Sequence, residues 1–239
     1  MAVTSTSKSA RRDEFVHRLP KIELHAHLNG SIRRSTLCEL AAARGIDALG
    51  DVDLACLQPG PVRHPAHQLV IGAGTGLGVA AVVQTARGWL ALPGEGGHAT
   101  LAPADDFESA VLAHVRGAFS HVSAERLLSG IGLPLLHAAL GQVRGIAAPA
   151  ARAEQIVQGA QGGTDAHAAA TLDLFCALLG GFAGNVALTL GARGGLFIGG
   201  GIVPRFADRF AASDFRSRFE AKGRFRDYLA AVPTALITD

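Results

Sequence analysis

The stretch from Leu69 to Val83 constrains the chain most. Leu69-Val70-Ile71 is an apolar run, Gly72-Ala73-Gly74-Thr75-Gly76-Leu77-Gly78 carries glycine at every second position, and Val79 to Val83 is apolar again. Apolar, β-branched runs favour extended backbone, and glycine allows the tight return and close approach that other residues resist. The pattern predicts a strand, a glycine loop and a second strand. Such a loop points backbone N–H groups at an anion such as a phosphate, with the Thr75 hydroxyl as an added donor. A purely structural turn fits the same pattern. Two common nucleotide motifs are excluded. A dinucleotide fingerprint begun at Gly72 needs glycine where Leu77 stands, and no Gly-Lys-Ser/Thr follows for a Walker loop.

Strand and helix signals continue on the C-terminal side. Trp89 to Leu92 reads as a strand. Asp105 or Asp106 is placed to cap a helix carrying Phe107, Val111, Val115 and Phe119 at every fourth position. A longer helix is expected from Thr171 to Leu190, with Phe175, Leu179, Phe182, Val186 and Leu190 on one stripe. Its glycines Gly180, Gly181 and Gly184 would let another element approach closely. Phe175 to Ala192 is apolar enough to raise a membrane span, but its glycines and Asn185 favour a buried helix. Leu196-Phe197-Ile198 reads as a buried strand ending in Gly199-Gly200-Gly201, either a flat wall for a nucleotide or a tight strand-to-helix connection. Phe206 to Ala231 reads as helical and charged, and Thr234 to Thr238 as a last strand. Strands separated by helices imply an α/β fold with a mixed sheet.

Composition narrows the function classes. Hydrophobic residues make up 49% and charged residues 18% of the 239, which suits a globular chain with a sizeable core. A net charge of +2 and no Lys/Arg run argue against nucleic acid as partner. Cys38, Cys56 and Cys176 have neither metal nor redox spacing, as expected for reduced thiols in the cytoplasm. Met1 to Arg12 has no apolar segment of the secretory type, and no internal repeat is visible.

Polar residues gather in two places. Gly94-Glu95-Gly96-Gly97-His98 sets a carboxylate and an imidazole three apart in a glycine-flanked turn, and Glu125 lies in His121-Val122-Ser123-Ala124-Glu125-Arg126. Carboxylates that accept from two adjacent hydroxyls are what a sugar requires. A solvated glutamate and a structural histidine are the plain alternatives.

Taken in order, these segments carry a resemblance. Gly72–Gly78, Leu92–His98, His121–Gly130 and Gly199–Arg205 resemble the motifs of bacterial-type glucokinases, as do Thr171–Cys176 and Phe219–Phe225. The resemblance implies the larger domain of a sugar kinase, of the actin-like ATPase and ribonuclease-H-like class, over residues 51–239. It implies that Glu95, His98 and Glu125 hold glucose hydroxyls and that Gly76 lies beside the sugar. Gly74 and Thr75 would face the ATP phosphates, and Gly199, Gly200 and Gly201 the nucleotide. The implied reaction moves the γ-phosphoryl of ATP to the glucose 6-hydroxyl, with Mg²⁺ bridging phosphates, at the entry to glycolysis. The repressor-type relatives carry a cysteine-rich zinc motif, and no cysteine lies between Cys56 and Cys176.

The family also has a smaller domain with an Asp-Gly-Gly-Thr loop and an Asn-Asp pair whose Asp is the general base. Neither motif occurs in these 239 residues, and the sequence stops at Asp239, short of the final family helix. A poor or inactive kinase is therefore expected of the chain alone. A partner chain supplying the missing half, or self-association, would follow from the exposed surface.

The first residues read differently. A polar tail over 1–14 is expected to stay unstructured. Ile22, Leu24, Ala26 and Leu28 alternate with polar residues as a strand does, and Ser31 to Gly45 reads as a helix. Leu19–Ser31 resembles the first strand of the adenosine/AMP deaminase superfamily, where His25 and His27 would bind Zn²⁺, so 15–50 is expected to be one βα fragment. Two histidines are too few to hold an activated water. Three readings are thus carried forward: a glucokinase-like chain, a non-catalytic sugar- or nucleotide-binding fusion fragment, and a deaminase remnant.

Overall fold

The computed structural model describes residues 54–58, 67–85, 88–92 and 94–237. The expected 1–14 tail, the βα fragment, His25 and His27 lie outside the described residues.

A six-stranded sheet runs in the order β1-β6-β5-β2-β3-β4. The strands are β1 (Leu54–Gln58), β2 (Gln68–Ala73), β3 (Leu77–Thr85), β4 (Gly88–Leu92), β5 (Leu196–Gly199) and β6 (Thr234–Ile237). β2, β3 and β4 form an antiparallel meander. β5 lies parallel to β2 and β6 parallel to β5, while β1 pairs antiparallel with the outer edge of β6. The sheet is mixed, as expected.

Between β4 and β5 run α1 (Asp106–Arg116), α2 (Ala124–Leu127), α3 (Gly132–Arg144), α4 (Ala153–Gln161) and α5 (Ala166–Leu190). The Asp105 carboxylate accepts from Glu108 N at 2.7 Å, and the Glu108 carboxylate accepts from Ala104 N at 2.7 Å. The first bond satisfies an N–H that the first turn of α1 leaves without a partner, and the second pins the residue before the cap. The buried face of α1 is Val111, Leu112 and Val115 rather than the expected four-residue row. Phe107 is exposed, and Phe119 lies beyond the helix end.

α5 is the central core helix. By length and composition it is apolar enough to cross a membrane, yet 67% of that window is buried in the fold. Phe175, Leu179 and Phe182 are buried, and the stripe loosens at Val186 and Leu190. α7 (Phe215–Glu220) packs across it. A Cβ at Gly180 would overlap the Phe215 carbonyl, and one at Gly184 the Phe219 carbonyl. The expected close approach therefore holds for these two glycines. Gly181 faces open space.

The tail departs from expectation. Phe206–Ala231 is no continuous helix but α6 (Ala207–Ala211), α7 and α8 (Arg226–Ala230), joined by short turns. The Ser213 hydroxyl accepts from Phe215 N at 3.2 Å and restarts the chain at α7, which stops at Glu220, and Gly223 at φ 56° opens the 3-10 turn that leads to α8. Arg216 ties the pieces together. Its guanidinium pairs with Glu220 at 2.6 Å and donates to the carbonyls of Leu229, Ala230 and Val232 and to Thr234 Oγ1. The end of α8 and the start of β6 are thereby fixed to α7.

Helices cover one face of the sheet over Leu69, Ile71, Leu196, Ile198 and Leu236. Val70, Phe197 and Ile237 form a smaller cluster with Val82 and Ala235. The glycine loops leave the C-terminal ends of β2 and β5, the end of an α/β sheet where ligands bind.

Candidate functional site

The glycine loop is the turn of the β2–β3 hairpin. Ala73 pairs with Leu77, so Gly74, Thr75 and Gly76 make the return, and Gly74 N donates to Gly76 O at 2.9 Å. β3 thus begins at Leu77 and not at Val79, because ladder pairing continues up to the turn. Thr75 is exposed at the tip, Gly76 is buried, and a Cβ on Gly74 would meet nothing within 4 Å.

Three segments brace this hairpin. Gly130 N donates to Gly74 O at 2.7 Å, Ile202 N donates to Ala73 O at 3.2 Å, and Leu77 N donates to Glu125 Oε2 at 2.9 Å. Gly200 has φ 89°, and a Cβ there would overlap the Ala73 backbone. Only glycine suits both the dihedral and the space. The Gly199–Gly201 turn therefore lies directly against the hairpin. Gly199 is buried at the end of β5, whereas Gly200 and Gly201 are exposed. It leads into a 3-10 turn, Val203–Phe206, and makes a tight connection out of β5.

The polar cluster is brought together by folding. Gly96–His98 is a single 3-10 turn, and Glu95 bridges to Val79 of β3. Gly97 is buried under β3, where a Cβ would overlap the Leu77 carbonyl. Glu125 sits in the first turn of α2, capped by Ser123, whose hydroxyl accepts from Arg126 N at 3.2 Å. His98 Nε2 lies 3.8 Å from Glu95 Oε2 and 3.8 Å from Glu125 Oε1. These gaps exceed a hydrogen bond. Side-chain exposure falls from 67% at Glu95 to 50% at His98 and 21% at Glu125, so the group opens to solvent on one side.

Glu95, His98, Glu125, Gly74, Thr75 and Gly76 therefore meet around one hairpin, with Gly199–Gly201 on its other flank. Glu125 and Gly200 are named from the sequence, but the bracing parts of Gly97, Gly130 and Ile202 are not. Gly97 and Gly130 lay inside the quoted motifs, and only their backbone contacts distinguish them. Among the described residues, no group of three or more His, Cys, Asp or Glu side chains is arranged to hold a metal ion. Cys176 is buried, and burial pushes its thiol up to about 12, which leaves it inert.

A family model described as glucokinase matches residues 40–239. The chain belongs to the glucokinase family. The match begins before the Asp51 boundary expected from sequence. Glucokinase from Chromobacterium violaceum is 49% identical over 198 residues, covering 83% of this chain and 57% of that protein. Glucokinase from Nitrobacter hamburgensis is 44% identical, covering 83% of this chain and 62% of its own length. The chain thus spans roughly three fifths of these relatives, 57% and 62%. Among solved structures, a glucokinase from an Antarctic psychrotroph superposes with TM-score 0.77 at 38% identity, covering 85% of this chain and 62% of that one. A glucokinase from Balamuthia mandrillaris in complex with glucose has TM-score 0.72 at 21% identity and shares the fold.

Proposed function

We propose that this chain forms the sugar- and nucleotide-binding half of a glucokinase cleft. Glu95, His98 and Glu125 would accept and donate to glucose hydroxyls, with Gly76 beside the ring. Gly74 and Thr75 would face the ATP phosphates, and Gly199, Gly200 and Gly201 the rest of the nucleotide. The observation that carries this reading is the meeting of two carboxylates and an imidazole, separated by 3.8 Å gaps, beside an open glycine hairpin. Gaps longer than a hydrogen bond leave room for hydroxyl oxygens to bridge. The hairpin end offers backbone N–H groups and one hydroxyl, a donor set that suits phosphate oxygens and not a cation. Mg²⁺ would accordingly enter on the ATP phosphates.

The reaction of the family, transfer of the γ-phosphoryl of ATP to the glucose 6-hydroxyl at the entry to glycolysis in the cytoplasm, needs more than this half. The sequence contains no Asp-Gly-Gly-Thr loop and no Asn-Asp pair to supply the base. Binding without efficient turnover is the behaviour proposed for the 239 residues alone, with a small domain from a partner chain completing the cleft; self-association would cover exposed surface without supplying the base. The test is ADP release from ATP and glucose by the purified chain, alone and with a glucokinase small domain added in trans. Low turnover alone and higher turnover on addition support the reading. Turnover by the chain alone at the 1–10³ s⁻¹ typical of enzymes, roughly, would overturn it.

A further inference from the structure

We propose that His121 is a positioning residue for the sugar site, holding the turn that carries Glu95 and His98 in register with the helix that carries Glu125. The proposal rests on the sugar-site reading above.

These three polar side chains come from two separate segments, and a backbone stitch joins the segments. Ala124 N donates to Ala99 O at 2.9 Å, Leu101 N donates to Val122 O at 3.0 Å, and Thr100 bridges to Ser123. The stitch runs antiparallel, so His121 comes alongside the residues past Leu101 by pairing, away from the site. Its side chain reverses this. The ring reaches back along the stitch, and His121 Nε2 lies 2.9 Å from His98 O. A carbonyl only accepts, so Nε2 carries the proton in this contact, and the imidazole donates whether neutral or protonated.

The bond lands on the last residue of the turn that carries Glu95 and His98. Glu95 is already bridged to β3, and Glu125 is held by Leu77 N at 2.9 Å and by its helix. His98 ends a single 3-10 turn, and such turns have weak internal geometry. His98 N donates to Glu95 O at 3.0 Å within the turn, and the His121 contact ties the carbonyl of the same residue to the segment entering α2. A side chain aimed at two carboxylates 3.8 Å away depends on where its own backbone is held. His121 itself is exposed, which makes its removal mild for the core.

The experiment compares the full chain with His121→Ala and His121→Gln, since a glutamine amide N–H reaches about as far as Nε2. Two readouts are taken: the ring Cε1–H resonance of His98 by NMR, and glucose affinity by calorimetry. The expected result is a displaced His98 resonance and affinity weakened about threefold to tenfold in the alanine variant, the worth of one net hydrogen bond, with both restored by glutamine. An unmoved His98 resonance in folded His121→Ala overturns the proposal, as does a glutamine variant equal to alanine in both readouts. If the unmodified chain binds no glucose, the sugar-site reading fails, and the His98 resonance alone decides whether His121 positions it.

Discussion

Glu125 divides its carboxylate between two tasks: Oε2 accepts from Leu77 N at 2.9 Å, and Oε1 faces His98 Nε2 at 3.8 Å. One side chain thus braces the glycine hairpin and borders the polar cluster, joining parts of the sequence 48 positions apart.

This division separates two substitutions. Glu125→Gln keeps an acceptor for Leu77 N but loses the charge, so the hairpin should persist. Glucose binding should weaken by about 1.5–3 kcal/mol, the worth of a charge-assisted hydrogen bond. Glu125→Ala should in addition expose the Leu77 amide, read as faster hydrogen exchange there. Equal Leu77 protection in both variants would show that Glu125 does not brace the hairpin.

Gly180 and Gly181 are neighbours on α5 and should respond with opposite signs. Gly180→Ala drives a methyl into the Phe215 carbonyl and should lower stability by about 1–3 kcal/mol. Gly181→Ala meets open space and should raise it by about 0.5–1 kcal/mol through helix propensity and a less flexible unfolded chain. Urea midpoints of the two variants decide the matter.

Gly200→Ala should be costly twice over, through φ 89° and through overlap with Ala73. The expected loss is about 1–3 kcal/mol for the dihedral, before the overlap is added. A melting temperature unchanged from the parent would mean that the Gly199–Gly201 turn does not rest on β2 as described.

Much of this was legible in the sequence. The order of strand, glycine loop and strand was, because apolar runs flank glycines at alternate positions, whereas the antiparallel pairing that makes it a hairpin was not. The buried character of α5 was too, because Phe175, Leu179 and Phe182 are large and regularly spaced. α3 was not read as a helix: Gly132, Pro134 and Gly141 argue against one locally. The fold tolerates Pro134 in the first turn, where its missing N–H costs nothing. α4 presents only Ile156, Val157 and Ala160 to the core, too short a stripe to stand out. The continuous tail helix failed because charge and period do not reveal the breaks near Ser213 and Gly223. The bracing of Glu125, Gly130 and Gly200 is tertiary, and no local pattern encodes it.

The His137–His167 pair gives the chain an acid-sensitive joint between α3 and α5. The His137 ring donates from Nδ1 to Thr171 Oγ1 at 2.9 Å, Thr171 donates to His167 O at 2.8 Å, and His167 Nε2 donates to His137 O at 3.0 Å. Burial, and then the neighbouring His167, hold His137 below its usual value of 6.5, with Asp165 opposing. A proton therefore binds the unfolded chain more readily than the folded one. Stability is full above pH 6.5 and falls as pH drops through that value toward the depressed folded one. Urea midpoints should decline from pH 7.5 to 5.5, roughly the window in which His titrates, and His137→Gln should flatten the decline. An identical slope in that variant would place the acid sensitivity elsewhere.

Glu95, His98 and Glu125 are proposed to form a working sugar half-site. Calorimetric titration of the purified chain with glucose tests it most directly, with Glu95→Ala as control. Saturable binding is expected from the parent and is lost in the control, whose circular dichroism and melting temperature stay close to the parent. No heat of binding from a folded parent chain, or equal binding by Glu95→Ala, would contradict it.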